Sequence, residues 1–115
     1  MSPSNSSTLI QAAAVQAESV VLDVEAGTEK VCMLIDEAAS QGARLIVFPE
    51  SFLPVYPNGS LWGGGLSRFG AEVAKKAFAR MPHNSVEIPG AVTERLGRAA
   101  EQAGALVAIV VSEKV

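Results

Sequence analysis

The sequence predicts an α/β fold built on a parallel sheet, and three observations carry that expectation. Largely apolar, strand-like runs lie at residues 9–16, 44–49 and 105–111. Between them, residues 24–41 and 89–103 place apolar side chains at helical spacing. Strand-like and helix-like segments therefore alternate, the pattern of parallel neighbours joined by right-handed crossovers.

The first run, residues 9–16, reads as a strand buried in the sheet. A connector follows, and Asp23 stands where a helix N-cap belongs. From Val24 onward, Val24, Val31, Leu34, Ile35 and Ala38 fall on one face of a helix expected over 24–41. Gly42 follows as the C-terminal stop. Leu45-Ile46-Val47-Phe48, closed by Pro49, is uninterrupted by polar residues. It reads as a strand covered on both faces, as parallel strands usually are.

The stretch from 50 to 66 holds Pro54, Pro57, Gly59, Gly63, Gly64 and Gly65, with Tyr56 and Trp62 among them. A loop this long in a compact domain is usually functional. A helix is expected over 69–80, with Phe69, Val73 and Ala77 on one side, followed by a connector to residue 88. Pro89 sits where proline opens a helix, at the first turn, and Glu94 and Arg98 are spaced as an i,i+4 pair on its polar side. Gly104 ends that helix. The two junctions Gln41-Gly42-Ala43-Arg44-Leu45 and Ala103-Gly104-Ala105-Leu106-Val107 share one logic: a helix stops at Gly, Ala follows, and an apolar strand begins. Shared turn chemistry explains the echo better than an internal repeat.

Composition narrows the function classes. The chain has 115 residues, 49% of them hydrophobic and 18% charged, with a net charge of -3. That is globular rather than disordered, and without a basic patch no nucleic-acid partner is expected. No apolar run approaches the ~20 residues that span a bilayer, so no membrane partner is expected. Residues 1–8 are Ser-rich and uncharged, read as a disordered tail, and lack the basic-then-apolar order of a secretory signal. The single cysteine, Cys32, cannot make an internal disulfide. The expected compartment is the cytoplasm. His83 is the only histidine and has no ligating neighbours in sequence, so no metal is expected. Gly63-Gly64-Gly65 lacks the strand-to-helix context and lysine of a phosphate cradle, and no cofactor is expected.

Glu50 is the residue that invites a chemical reading. It follows an apolar strand and a proline, at the strand end where open α/β sheets bind ligands. By position alone it is either a solvated acid at a loop start or a partly desolvated general base. Its surroundings are more specific. Gly42-Ala43-Arg44-Leu45-Ile46-Val47-Phe48-Pro49-Glu50, followed by Phe52, Leu53 and Tyr56-Pro57, resembles the glutamate signature of the nitrilase branch of the carbon–nitrogen hydrolase (nitrilase/cyanide hydratase) superfamily. Ala14-Val15-Gln16, and Ser85-Val86-Glu87-Ile88-Pro89-Gly90 leading into a helix, fit the same resemblance, which runs from about residue 9 to 114. One departure is Val55, where the family commonly has Gly before the Tyr-Pro pair.

The resemblance implies part of an α-β-β-α sandwich, with residues 9–115 as the N-terminal portion of an incomplete carbon–nitrogen hydrolase domain. It implies hydrolysis of a nitrile to an acid and ammonia by a Cys–Glu–Lys set. A cysteine thiolate attacks the nitrile carbon to give a thioimidate. One water releases ammonia, leaving a thioester that a second water hydrolyses. Of these roles only the glutamate's falls on this chain, at Glu50. Cys32 lies mid-helix beside the apolar stripe, unlike a nucleophile at a helix start or turn, and reads as structural. Lys30, Lys75 and Lys76 read as solvated helix faces, and Lys114 does not match the family's lysine. Tyr56 and Trp62 either line the substrate pocket or anchor the loop. The resemblance also implies a homo-oligomer in the complete protein, and expects the 115-residue chain alone to be inactive. Alternatives are a cyanide hydratase or amidase of the same superfamily, an inactive assembly fragment, and a nucleotide-binding module. The glycine-free turn from 16 to 24 argues against the last.

Overall fold

A computed structural model describes residues 9–20, 22–49, 52–53, 72, 76 and 84–114. In chain order the elements are β1 (Ala12–Ala14), α1 (Val24–Ser40), β2 (Leu45–Val47), α2 (Ala91–Ala103) and β3 (Leu106–Ala108). The strands form one parallel sheet in the order β1-β2-β3. The α/β expectation holds. The strands are shorter than their apolar runs suggested, three residues each against the expected 9–16, 44–49 and 105–111.

Helix α1 begins where its sequence directs. The Asp23 side chain accepts a hydrogen bond from the Ala26 amide at 3.0 Å, satisfying one of the free N–H groups of the first turn. Val31 and Ile35 are completely buried, with Val24, Leu34 and Ala38 packed beside them. Helix α2 starts two residues later than the expected 89. Gly90 is the N-cap, its amide donating to Thr93 Oγ1 at 2.9 Å, and Pro89 stands outside the helix after a cis peptide bond. Glu94 and Arg98 are both exposed on α2 and do not pair. Among the described residues the ion pair is instead Lys114 with Glu87, at 3.9 Å. Of the helix expected over 69–80, Glu72 and Lys76 have helical backbone and are exposed; its other residues lie outside the described ones.

The two helix-to-strand junctions are the same turn built twice. Gly42 and Gly104 take φ of 99° and 64°, the left-handed region that glycine enters without a Cβ penalty. In each, the glycine amide donates three residues back, Gly42 to Ala39 and Gly104 to Glu101, and the following alanine donates five back, Ala43 to Ala38 and Ala105 to Ala100. The next amides tie the turns to the sheet: Arg44 N–H reaches the Gln11 carbonyl and Leu106 N–H the Arg44 carbonyl, both at 2.8 Å.

One face of the sheet is open, although the apolar run at β2 alone reads as a strand covered on both faces. Strand register aligns Ala13, Ile46 and Val107 in one row, flanked by the rows Ala12–Leu45–Leu106 and Ala14–Val47–Ala108. Ile46 is fully buried, and Ala13 and Val107 pack against the core. On the other face, Val47 is 41% exposed and Leu106 73%. The reason is topological. Strands taken in sequential order by right-handed crossovers carry both helices to one side, where α1 and α2 pack against each other. Among the described residues no helix is long and apolar enough to cross a membrane.

Candidate active site

The carboxyl ends of the strands, where the glutamate signature falls, are tied together by a second tier of pairing. Past β2, the Phe48 amide donates to the Ala108 carbonyl at 2.9 Å. Further on, Leu53 pairs in parallel with Val111, its carbonyl accepting from the Ser112 amide at 2.9 Å. Val86 pairs in parallel with Glu113: its amide donates to the Ser112 carbonyl and its carbonyl accepts from Lys114, both at 2.7 Å. Val86, in the stretch expected to be a connector to residue 88, thus bridges to the chain beyond β3.

The register around the signature is uneven. Val47 pairs with Ala108 and Leu53 with Val111, so six steps along one strand meet three along the other. Both ends of this mismatch are held in the core. Phe48 is 5% exposed, Phe52 2% and Leu53 0%, and the two phenylalanine rings are 5.6 Å apart, centroid to centroid, at 58°. That separation and tilt suit the ring quadrupoles. Position 50 falls between these anchors. Glu50, Tyr56, Trp62, Lys75 and His83 themselves lie outside the described residues.

Helix α1 reaches the same end of the sheet with its amino terminus. Its first amide, on Val24, donates to Asn84 Oδ1 at 3.1 Å, linking positions 60 residues apart. Thr28 is the buried polar residue of this helix, 1% exposed, and its hydroxyl donates to the Val24 carbonyl at 2.6 Å. Gly27 faces Leu53: a Cβ at position 27 would stand 2.7 Å from Leu53 Cδ2. Sequence reasoning missed Asn84, Gly27 and Leu53 as parts of this arrangement. The one available signal was Gly27 itself, since glycine inside a helix is costly and needs a packing reason.

The remaining candidates separate clearly. Cys32 is a free thiol in the interior of α1, half-buried against the core. Lys30 is half-buried rather than solvated, and its ammonium donates to the Glu18 carbonyl, pinning the connector ahead of α1. Lys76 is exposed. Lys114 lies at the end of the second tier, its ammonium near Glu87 with both side chains open to solvent.

Comparison with known proteins is consistent along nearly the whole chain. The family model for carbon-nitrogen hydrolase matches residues 11–115. A nitrilase of Bacillus sp. (strain OxB-1) is 44% identical over 87 residues, covering 76% of this chain and 24% of that protein. An aliphatic nitrilase of Sinorhizobium fredii (strain HH103) is 40% identical over 107 residues, covering 93% and 34%. A cyanide hydratase of Armillaria gallica is 36% identical over 116 residues, covering 99% and 31%. The chain thus spans between a quarter and about a third of the length of these curated relatives.

Proposed function

Since the chain belongs to the carbon–nitrogen hydrolase family, on its nitrilase branch, we propose that it supplies the general base, Glu50, to a site that hydrolyses a nitrile to a carboxylic acid and ammonia. The observation that supports this is the anchoring of both sides of position 50, by the buried Phe48 and by Phe52-Leu53, at the carboxyl end of β2. A base must be held within hydrogen-bond reach of the proton it takes, and Phe48 and Phe52-Leu53 are the buried neighbours on either side of it in sequence.

In this reading Glu50 takes the proton from a cysteine thiol that this chain does not supply, Cys32 being committed to the core of α1. The thiolate adds to the nitrile carbon as the nitrile nitrogen is protonated, giving a thioimidate. Glu50 then activates water for attack. Collapse of the adduct with loss of ammonia leaves a thioester, and a second activated water releases the acid and restores the thiol. A lysine, also from outside this chain, supports the developing charge. Tyr56 and Trp62 line the pocket, each offering an apolar body with a polar tip. The complete enzyme is a cytoplasmic homo-oligomer that needs no cofactor.

A second outcome of the same chemistry is favoured by the cyanide hydratase that matches 99% of this chain. If the first water adduct expels the thiolate instead of ammonia, the product is an amide. Product analysis on a nitrilase-length protein bearing this segment separates the two: ammonia with acid supports the nitrilase, amide alone the hydratase. Glu50→Gln keeps the size and hydrogen bonding of the side chain but removes the proton acceptor. General-base catalysis contributes roughly 10²- to 10⁴-fold, so both products should fall by at least the upper part of that range. Glu29→Gln, on the exposed face of α1, is the matched control. Equal activity in the two variants would remove Glu50 from the site.

A further inference from the structure

The open face of the sheet is graded in size from row to row. Along β1 and past it, Ala13, Val15 and Ala17 pack on the core, as Val107, Ile109 and Val111 do along β3 and past it. Side chains alternate along a strand, so the residues between them turn to the open face. There the row Ala12–Leu45–Leu106 forms a ridge, with Leu106 73% exposed at its end. The next row, Ala14–Val47–Ala108, is a trough, two exposed alanines flanking a valine. Neither row carries a charge, nor do Ile10 and Val110, which extend the face at its two ends and are 60% and 55% exposed.

We propose that this face binds a second copy of the chain, sheet against sheet, in a two-fold dimer. An interface of this kind must be complementary to itself, and a ridge beside a trough is. A two-fold axis running across the strands, between the two rows, turns the ridge of each copy onto the trough of the other. Leu106 then meets the partner's Ala108, and Leu45 the partner's Val47. Helices α1 and α2 stay on the outside, because they cover the opposite face. The net charge of -3 on each chain does not oppose the contact, since the meeting rows are uncharged and charges far apart are screened. The face exposes on the order of 700 Å² per protomer, which brings the buried total to roughly 1,400 Å², within the range of specific dimers. This pairing does not depend on the reading of Glu50.

Sedimentation velocity of the 115-residue chain tests this. A discrete dimer should be present at about 10–100 μM, as interfaces of this size give micromolar or tighter binding. A monomer throughout that range, or open-ended aggregates, would overturn the proposal. Ala108→Leu fills the trough, so leucine meets leucine, and the overpacked contact should raise Kd about tenfold or more. Leu106→Ala added to Ala108→Leu exchanges ridge and trough, and should return Kd to within about threefold of the parent. Both positions are exposed in the protomer, and urea denaturation checks that both variants are folded. A face that is merely sticky would associate more strongly with the added leucine, and pairing through the sheet edges would not respond to it. Either result, or a double variant that stays as weak as Ala108→Leu, would overturn the two-fold packing.

Discussion

Phe48 and Phe52 meet ring to ring, 5.6 Å apart, on either side of the position that carries the signature glutamate. Both rings are buried, and three residues separate them in sequence, so their contact holds the two ends of a short segment together on the core side. Phe52→Ala should remove this contact and open a cavity, costing about 3–5 kcal/mol, whereas Phe52→Leu keeps most of the burial and should cost under about half of that. Urea denaturation of the two variants measures the difference. Equal stabilities would mean that the ring is not what fixes the segment.

The start of α1 is capped twice, by a neighbour and by a residue far along the chain. Asp23 holds the Ala26 amide and Asn84 the Val24 amide. Asp23→Ala is expected to cost about 0.5–2 kcal/mol, and Asn84→Ala about 1–3 kcal/mol through the amide left unpaired. The second variant should also free the segment at 84–90, visible as faster exchange of the Val86 amide, which Asp23→Ala leaves protected.

The open sheet face predicts self-association of the 115-residue chain. Ile10, Val47, Leu106 and Val110 are all exposed, with Ala12, Ala14 and Ala108 between them. Leu106→Lys should reduce association in sedimentation velocity while changing stability by no more than about 0.5 kcal/mol. Ile46→Lys, in the neighbouring row of the sheet but on the helix side, should abolish folding, because it buries an unpaired charge. Similar behaviour of the two would contradict the one-sided arrangement of the helices.

Cys32 supplies a test of catalytic assignment. The 115-residue chain is expected to release no ammonia from nitriles, since its one thiol is committed to a helix interior and packed against the core. Cys32→Ala should leave that blank unchanged and, in a nitrilase-length protein, should leave kcat within about twofold of the parent. Turnover by the short chain that disappears in Cys32→Ala would make Cys32 a nucleophile.

Local chemistry was legible from the residues alone. Asp23 before an apolar stripe and a glycine after it mark α1 because capping and 3.6-residue periodicity are short-range properties. The repeated Gly-Ala junction is one turn at Gly42 and Gly104 for the same reason. The glutamate signature, read with its neighbours, identified the family without any contact being known. What the tertiary structure decided is which surfaces meet. The run Leu45-Ile46-Val47 looked buried on both faces because every residue is apolar, and only the crossover direction put both helices on one side and left Val47 open. Pro89 looked like a helix start, but Thr93 closes the first turn onto Gly90. The approach of Leu53 to Gly27, and the cap that Asn84 places on Val24, join residues 26 and 60 positions apart. Contacts of that range depend on how the helix and the sheet pack together, which no local pattern encodes.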